Sequence, residues 1–302
     1  MSENQGFRPK LSGFTFLRNA VELGYPFEES IRSILPIVDE MVVVVGSSRD
    51  DTLERVRSLQ DSKIKVIETV WNEKMQEKSF VYAQQKMIAQ YACVGDWAFY
   101  LEADEVLHED DHAAILKAVS LNHARLEVEA IVFDYKHFYG SAQWLAVSPA
   151  WYRRECRIIR NTIRTFAPDG QFWVVMDRKR QGRYPRAALA HASIYHYGHA
   201  RSVNKMQEKM NQVSRYWGHE PPKVQYEGIH PSMAKPFLGA HPHWMKEWIS
   251  KESDPAFQPD IHAKLGRRDL RHRLVMLLEQ LFALELGKKN YRLIRGTESK
   301  SS

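Results

Sequence analysis

Apolar and polar positions alternate along the first third of the chain in a way that predicts strands and helices in turn. Residues 40–45 form an almost continuous apolar run, as expected for a strand covered on both faces. Apolar residues from Phe27 to Leu35 recur at helical spacing until Pro36. The pattern predicts strands over 11–17, 40–45, 64–68 and 97–101, and helices over 27–35, 52–59 and 80–91. Such alternation predicts an α/β fold with a parallel, doubly wound sheet.

The rest of the chain is less regular. Strands are predicted over 130–135 and 156–160, and helices over 203–217 and 270–286, with a short segment at 194–199 and mostly irregular chain over 220–259. The aromatic-rich stretch 137–152 is too long for a simple connector, so it is predicted to be a loop that covers a ligand. By length, residues 1–217 form one large domain, and residues 218–302 form a C-terminal extension, irregular and then helical.

Composition narrows the functional classes. Of the 302 residues, 44% are hydrophobic and 26% charged, and the net charge of +6 favours an anionic partner such as a nucleotide, a phosphorylated glycan, a membrane face or a nucleic acid. The only cysteines, Cys93 and Cys156, have no paired spacing, which argues against a zinc site or a disulfide framework. The chain has no signal-peptide pattern and no apolar run of about 20 residues. We therefore expect a cytoplasmic protein, soluble or bound peripherally at the inner face of a membrane.

Three acidic residues, Glu102, Asp104 and Glu105, follow the predicted strand 97–101. Ligands bind beyond the carboxyl ends of the strands in an open parallel sheet, and carboxylates there can hold magnesium or manganese against phosphates. The same edge should gather residues 16–19 and 46–51. The alternative is a solvated acidic loop, and the acidic residues alone do not distinguish it from a metal site.

Four segments in this order resemble the family-two glycosyltransferases of GT-A fold: 14–19, 39–52, 102–105 and 195–198. The resemblance runs from about residue 11 to residue 217. It implies a Rossmann-like, mostly parallel sheet with helices on both faces and a mainly helical C-terminal extension. It also implies a nucleotide-sugar-binding half over 11–105 and an acceptor-binding half over 106–217. The implied activity is transfer of a sugar from a nucleotide-diphosphate donor, with a divalent cation, manganese or magnesium, held between acidic residues and the diphosphate.

The resemblance assigns roles to individual residues. Asp104, Glu102 and His196 would bind the metal, and the donor would be bound by Thr15, Arg18, Asn19, Ser47, Asp50, Glu102 and Asp104. The first acidic position departs from the family pattern, because Glu102 stands where Asp is usual. Asp50 could instead cap a helix, and His196 could be a packing histidine.

An inverting transferase also needs a base to take the proton of the acceptor hydroxyl. Asp169 occupies roughly the place where family members carry this base, with Glu155 second; a turn for Asp169 and an ion pair with Arg157 for Glu155 are the structural alternatives. Predicted acceptor-binding residues are Trp144, Trp151, Tyr152 and Arg153, since aromatic faces stack on sugars and a cation pairs with an anionic substituent.

Other functional classes fit less well. An aspartyl phosphatase needs Asp at the position of Glu102, and no nucleic-acid-binding module is recognised, so we expect no nucleic-acid partner. A catalytically silent nucleotide-sugar-binding or glycan-binding protein of the same fold remains the alternative. The expected partners are a nucleotide-diphosphate sugar donor and a glycan or lipid-linked acceptor, with peripheral membrane contact.

Overall fold

A computed structural model of the chain describes residues 8–224, 226, 229–253, 256–282, 286–287 and 289–294. In those ranges the strands are β1 (Leu11–Leu17), β2 (Glu40–Gly46), β3 (Ile64–Thr69), β4 (Trp97–Tyr100), β5 (Glu105–Leu107), β6 (Ala130–Tyr139), β7 (Ser141–Ala146), β8 (Arg154–Arg160), β9 (Thr165–Phe166), β10 (Val174–Met176), β11 (Gly182–Arg183), β12 (Arg186–His199), β13 (Ala234–Pro236) and β14 (Arg292–Leu293). The helices are α1 (Phe27–Ile34), α2 (Thr52–Ser58), α3 (Phe80–Tyr91), α4 (His112–His123), α5 (Val203–Trp217), α6 (Lys246–Glu252) and α7 (Arg267–Phe282). No helix within the described ranges is long and apolar enough to cross a membrane.

The first half of the chain forms the parallel part of the sheet, in the order β3-β2-β1-β4. Alternate residues of β2 enter two cores: Val43 and Val45 join the cluster that contains α1, whereas Val42 and Val44 join the cluster that contains α3. Helices therefore cover both faces, and the continuous apolar run of β2 is explained. The predicted α/β class with a Rossmann-like, mostly parallel sheet is confirmed.

The second half extends this sheet and brings distant residues to its edge. Strand β4 pairs antiparallel with β8, β8 pairs with β6, and the long β12 runs parallel to β6. In that register His196 lies beside His137, while the antiparallel pairing with β5 places His196 beside Glu105. Strand pairing therefore joins the acidic cluster to histidines that are far away in sequence.

The predicted loop over 137–152 is wrong for most of its length. Strand β6 continues to Tyr139 and turns at Gly140, whose φ is +71°, into the antiparallel strand β7. Phe138, Ala142 and Leu145 pack into one hydrophobic cluster, which explains why this stretch is apolar. Only the segment between β7 and β8 stays a loop. Helix α4 is missing from the sequence prediction, although its buried residues Ile115, Ala118, Val119 and Asn122 follow helical spacing.

The C-terminal segment contains more regular structure than its sequence suggests. Within the stretch 220–259, predicted as mostly irregular, β13 pairs with β7 at the sheet edge and α6 forms a short helix. Helix α7 confirms the later helical prediction, whose positions 283–285 lie outside the described residues. Strand β14 pairs with β12. The proposed domain boundary at residue 217 remains a prediction.

Candidate active site

A cavity of about 1040 Å³ lies at the carboxyl ends of β1, β2 and β4. Its lining includes residues 16–20, 47–49 and 102–104, together with residues of α5, of the segment between β7 and β8, and of the start of α7. This is the edge at which an open parallel sheet binds ligands. Its volume lies at the upper end of the range of small-molecule sites, which suits a ligand with several parts.

Arg157 holds two of the three clustered acids in place. Its Nη2 donates to Glu102 Oε1 at 2.9 Å and to Glu105 Oε1 at 2.6 Å, and its Nε donates to Glu105 Oε2 at 2.8 Å. Glu105 is fully buried and also accepts from the Tyr135 hydroxyl at 2.7 Å. Glu105 therefore anchors the cluster, while Glu102 reaches the cavity. Burial and the nearby Glu105 carboxylate raise the pKa of Glu102 to about 8, although Arg157 opposes this shift.

Asp104 meets a buried cation and an imidazole. Lys209 of α5 donates to Asp104 Oδ2 at 2.8 Å, and His196 Nε2 lies 3.6 Å from Asp104 Oδ1. Burial alone would raise the pKa of Asp104, but Lys209, His196 and Arg201 together hold it well below its usual range. Burial lowers the pKa of Lys209, and Asp104 opposes that shift. Asp104 is therefore an ionised carboxylate in a buried site.

Hydrogen bonds fix which nitrogen of His196 is free. His137 Nε2 lies 2.7 Å from the Tyr152 carbonyl oxygen, so this nitrogen must donate. Burial lowers the pKa of His137 to about 3 and that of His196 to about 4, so both rings are neutral at pH near 7. His137 Nδ1 then accepts from His196 Nδ1 at 2.8 Å. It follows that His196 Nε2, the atom that faces Asp104, carries a lone pair.

This arrangement fits a divalent cation. One ligand atom each from Glu102, Asp104 and His196 lie within 4.8 Å of one another, and carboxylate and imidazole groups suit manganese or magnesium. A lone pair of His196 and an ionised oxygen of Asp104 repel each other in a buried site unless positive charge lies between them. Gly198 keeps this space open, because a Cβ there would lie 2.6 Å from His196 Nε2 and 2.9 Å from Asp104 Oδ2.

The predicted donor-binding residues divide into two groups. Arg18, Asn19 and Ser47 line the cavity together with Glu102 and Asp104. Thr15 is buried within β1 and does not line the cavity. Asp50 also lies off the cavity; its carboxylate accepts from the backbone N–H groups of Glu22 at 2.8 Å and Thr52 at 3.1 Å. The cap-like alternative for Asp50 therefore matches its contacts.

Aromatic side chains form a wall beside Arg18. Phe16, Trp71, Tyr82 and Tyr216 contact one another with ring centroids 5.5 to 6.2 Å apart, and all four line the cavity. The Arg18 guanidinium lies 5.1 Å from the Trp71 ring centroid and donates to the Tyr216 hydroxyl at 2.7 Å. A wall of this kind can stack on a planar ring. Arg18 already forms an ion pair with Glu73, so an anionic ligand would have to share or replace that contact.

Of the residues predicted to bind the acceptor, Trp151 and Tyr152 line the cavity. Trp144 does not; it packs on the cluster that contains Tyr226 and Phe257. Arg153 forms an ion pair with Glu279 of α7 at 2.6 Å. Neither residue is among those that line the cavity.

The two predicted bases also lie off the cavity. Asp169 Oδ1 accepts from the backbone of Gln171 at 2.8 Å, which is a turn contact. Glu155 is buried in β8 and accepts from Asn290 at 2.8 Å; burial raises its pKa. The expected ion pair of Glu155 with Arg157 is not among the described contacts, because Arg157 pairs with Glu102 and Glu105 instead.

Sequence reasoning missed the residues that orient the cluster: Lys209, Arg157, His137 and Tyr135. Lys209 carried a signal, since it lies in a predicted helix that follows the His196 segment directly. The others lie in strands β6 and β8. Only the register in which these strands pair brings their side chains together.

No protein-family model matches the chain. An uncharacterized glycosyltransferase of Rickettsia felis is 33% identical over 101 residues, which cover 33% of this chain and 31% of that protein. An uncharacterized glycosyltransferase of Rickettsia typhi is 35% identical over 81 residues, which cover 27% of this chain and 24% of that protein. The chain thus spans a third or less of the length of these curated relatives. It is similar in sequence to proteins named glycosyltransferases. The resemblance found in its motifs is confirmed to that extent.

Solved structures with a related arrangement are more distant. The mannosyltransferase PcManGT of Pyrobaculum calidifontis, in complex with GDP-Man and Mn²⁺, has a TM-score of 0.35 and 20% identity, and the match covers 51% of this chain and 45% of that one. TarS of S. aureus, residues 1–349 in complex with UDP, has a TM-score of 0.32 and 18% identity, covering 50% and 47%. These likenesses are too distant to assign an activity.

Proposed function

We propose that the protein is a glycosyltransferase that moves a sugar from a nucleotide-diphosphate donor to a hydroxyl acceptor, with a divalent cation held by Glu102, Asp104 and His196. The main support is the pair formed by Asp104 and His196 Nε2, two buried electron-rich atoms 3.6 Å apart at the edge of a large cavity. When bound, a divalent cation would stabilise the negative charge that develops on a departing diphosphate.

Other residues of the cavity are suited to bind the nucleotide and the acceptor. The aromatic wall of Phe16, Trp71, Tyr82 and Tyr216 suits a nucleobase, with Arg18 able to pair with a phosphate or another anion of the donor. Lys209 supplies a second positive charge beside Asp104. Trp151 and Tyr152, which also line the cavity, suit an acceptor sugar. The cytoplasm, at the inner face of a membrane, remains the proposed location.

An inverting reaction needs a carboxylate that faces the acceptor. Within the described residues the carboxylates that line the cavity are Glu102, Asp104 and Asp269, and only Asp269 lies outside the metal cluster. Asp269 is therefore better placed for this role than Asp169 or Glu155.

The deciding experiment compares the parent protein with Asp104→Asn. Binding of UDP and GDP is measured by calorimetry with and without Mn²⁺, and hydrolysis of the corresponding nucleotide sugars is followed in parallel. We expect Mn²⁺ to strengthen nucleotide binding in the parent but not in Asp104→Asn, with turnover reduced about 100-fold or more, because one charged ligand is lost at nearly constant volume. Asp134→Asn is the matched control, since Asp134 forms an exposed pair with Arg154.

Three results would count against the proposal. Parental turnover in Asp104→Asn would exclude the metal site. Nucleotide binding that does not respond to Mn²⁺ in the parent would exclude the cation. Tight donor binding without hydrolysis or transfer would instead favour the catalytically silent nucleotide-sugar-binding protein.

A further inference from the structure

Helix α7 presents an apolar stripe to solvent. Leu270, Leu274, Leu277 and Leu281 follow the spacing i, i+4, i+7, i+11, which places them along one line of the helix surface. They are 54%, 56%, 52% and 66% exposed, respectively. A contiguous apolar stripe of this kind on a protein surface marks an interaction site, unlike single exposed leucines.

The opposite face of α7 mixes polar residues with the half-buried Val275 and Met276, and it lies partly against the protein. Glu279 is 5% exposed and pairs with Arg153 at 2.6 Å, while Arg268 and His272 line the cavity. A surface helix of a globular protein normally has the reverse orientation, with apolar residues inward and charged residues outward. The outward leucines therefore require an apolar partner.

The charged residues nearest the stripe on either side, Arg267 and Arg273, are positive, whereas Asp269 lies as far round on one side as Arg271 does on the other. At 100° per residue, Arg267 and Arg273 flank the leucines on either side, and Arg271 lies slightly further round. All three arginines are exposed, and within the described residues none of them is paired with a carboxylate. The carboxylates of α7 are engaged elsewhere, since Glu279 pairs with Arg153 and Asp269 accepts from the backbone of Gly266 at 2.9 Å.

We propose that α7 lies on a lipid bilayer that contains anionic headgroups, with its leucine stripe at the acyl boundary and its flanking arginines at the phosphates. Long basic side chains can reach the headgroups while their apolar stems cover the bilayer surface. A second copy of the chain fits this face less well, because Arg267 and Arg273 flank the stripe and no described carboxylate lies beside it to pair with them across a two-fold interface.

The cavity would then open close to the bilayer, because α7 contributes Arg268, Asp269 and His272 to its lining. If the proposed transferase function holds, this placement favours an acceptor carried on a lipid rather than a free glycan. Binding to the bilayer can be measured without donor or turnover, so its failure is distinguishable from failure of the transferase proposal.

The test is co-sedimentation of the full chain with vesicles of phosphatidylglycerol and phosphatidylcholine, and with vesicles of phosphatidylcholine alone. We expect binding to the anionic vesicles that weakens with salt. Arg267→Gln with Arg273→Gln should weaken it roughly thirtyfold. Leu274→Ser with Leu277→Ser should abolish it without lowering the melting temperature, because both leucines are exposed.

The matched control is Leu121→Ser with Leu126→Ser, two leucines outside α7 that are 64% and 77% exposed. These substitutions should leave vesicle binding unchanged, and UDP binding should be the same in every variant. Absence of parental binding to anionic vesicles would overturn the proposal, as would equal losses in the stripe and control variants. A concentration-dependent dimer that the stripe variant loses, without vesicle binding by the parent, would reassign α7 to self-association.

Discussion

At the scale of single residues, the backbone carbonyl of Tyr152 sets the tautomer of His196 through His137. Tyr152 fixes the tautomer of His137, His137 fixes that of His196, and His196 Nε2 is left with its lone pair toward Asp104. Partners of this kind set the orientation and basicity of a metal-binding histidine, and their loss typically costs 10- to 100-fold in metal affinity.

His137→Phe should therefore weaken Mn²⁺-dependent nucleotide binding by roughly 10- to 100-fold, while nucleotide binding without metal stays the same. A planar aromatic ring of somewhat larger size is kept, but both hydrogen bonds are lost. His241→Phe is the control, because His241 bonds to the Tyr197 hydroxyl at 2.8 Å and does not line the cavity. If both variants bind metal equally well, as judged by calorimetry, His137 has only a packing role.

At the scale of elements, Glu129 joins three strands at the end opposite the acidic cluster. It precedes β6 and accepts from Arg183 of β11 at 2.6 and 2.7 Å and from Arg186 of β12 at 3.2 Å. Burial alone would raise the pKa of Glu129, but these bonds hold it below the usual 4.5. A carboxyl with a lowered folded-state pKa stabilises the fold above its unfolded-state pKa, and this contribution is lost as pH falls through the folded-state value.

Glu129→Gln should lower the free energy of unfolding by on the order of 1–3 kcal/mol at neutral pH, because it removes a buried carboxylate that accepts hydrogen bonds from two arginines. The difference from the parent should shrink as pH is lowered below about 4. Glu127→Gln provides the comparison, because Glu127 pairs with Arg125 at an exposed position and should matter little. Denaturant melts at several pH values measure both, and a Glu129→Gln effect that is constant with pH would contradict this account.

How much the sequence predicts also depends on the element. The strands and helices of the first half follow from local periodicity, because each carries its own apolar pattern, continuous in the buried strand β2 and one-sided in helix α2. The hydrogen bond between His137 and His196 could not be predicted, because the two residues are 59 positions apart in sequence. They meet only through the parallel register of β6 and β12. Arg157 could not be predicted either, because cations in a strand usually face solvent, whereas the position of Lys209 directly after the His196 segment was a usable signal. Phe138, Ala142 and Leu145 of the misassigned stretch 137–146 pack in a hydrophobic cluster, whereas Tyr139 and Ala146 line the cavity.

At the scale of the whole molecule, charge is balanced around the cluster before any ligand arrives. Asp104 and Glu105 face the cations Arg157 and Lys209, and the charge of Arg201 also acts on Asp104. Glu102, whose pKa is raised to about 8, is mostly uncharged near pH 7 until a cation binds. The site therefore carries no excess negative charge to attract a bare divalent cation. A nucleoside diphosphate brings that charge, and Arg18 and the aromatic wall can hold its other parts.

We therefore expect Mn²⁺ alone to bind weakly and Mn²⁺ with UDP or GDP to bind tightly, with each ligand strengthening the other by the same factor. Lys209→Met should change this balance: removal of one cation next to Asp104 should increase the affinity for Mn²⁺ alone by about tenfold or more, given the strength of a charge interaction at about 4 Å. The same variant should reduce the benefit that nucleotide gives, because a positive charge near the diphosphate is lost. Calorimetric titrations with metal, with nucleotide and with both together measure the affinity for each ligand and the coupling between them. Tight parental binding of Mn²⁺ without nucleotide, unchanged in Lys209→Met, would show that the buried lysine does not control the charge of the site.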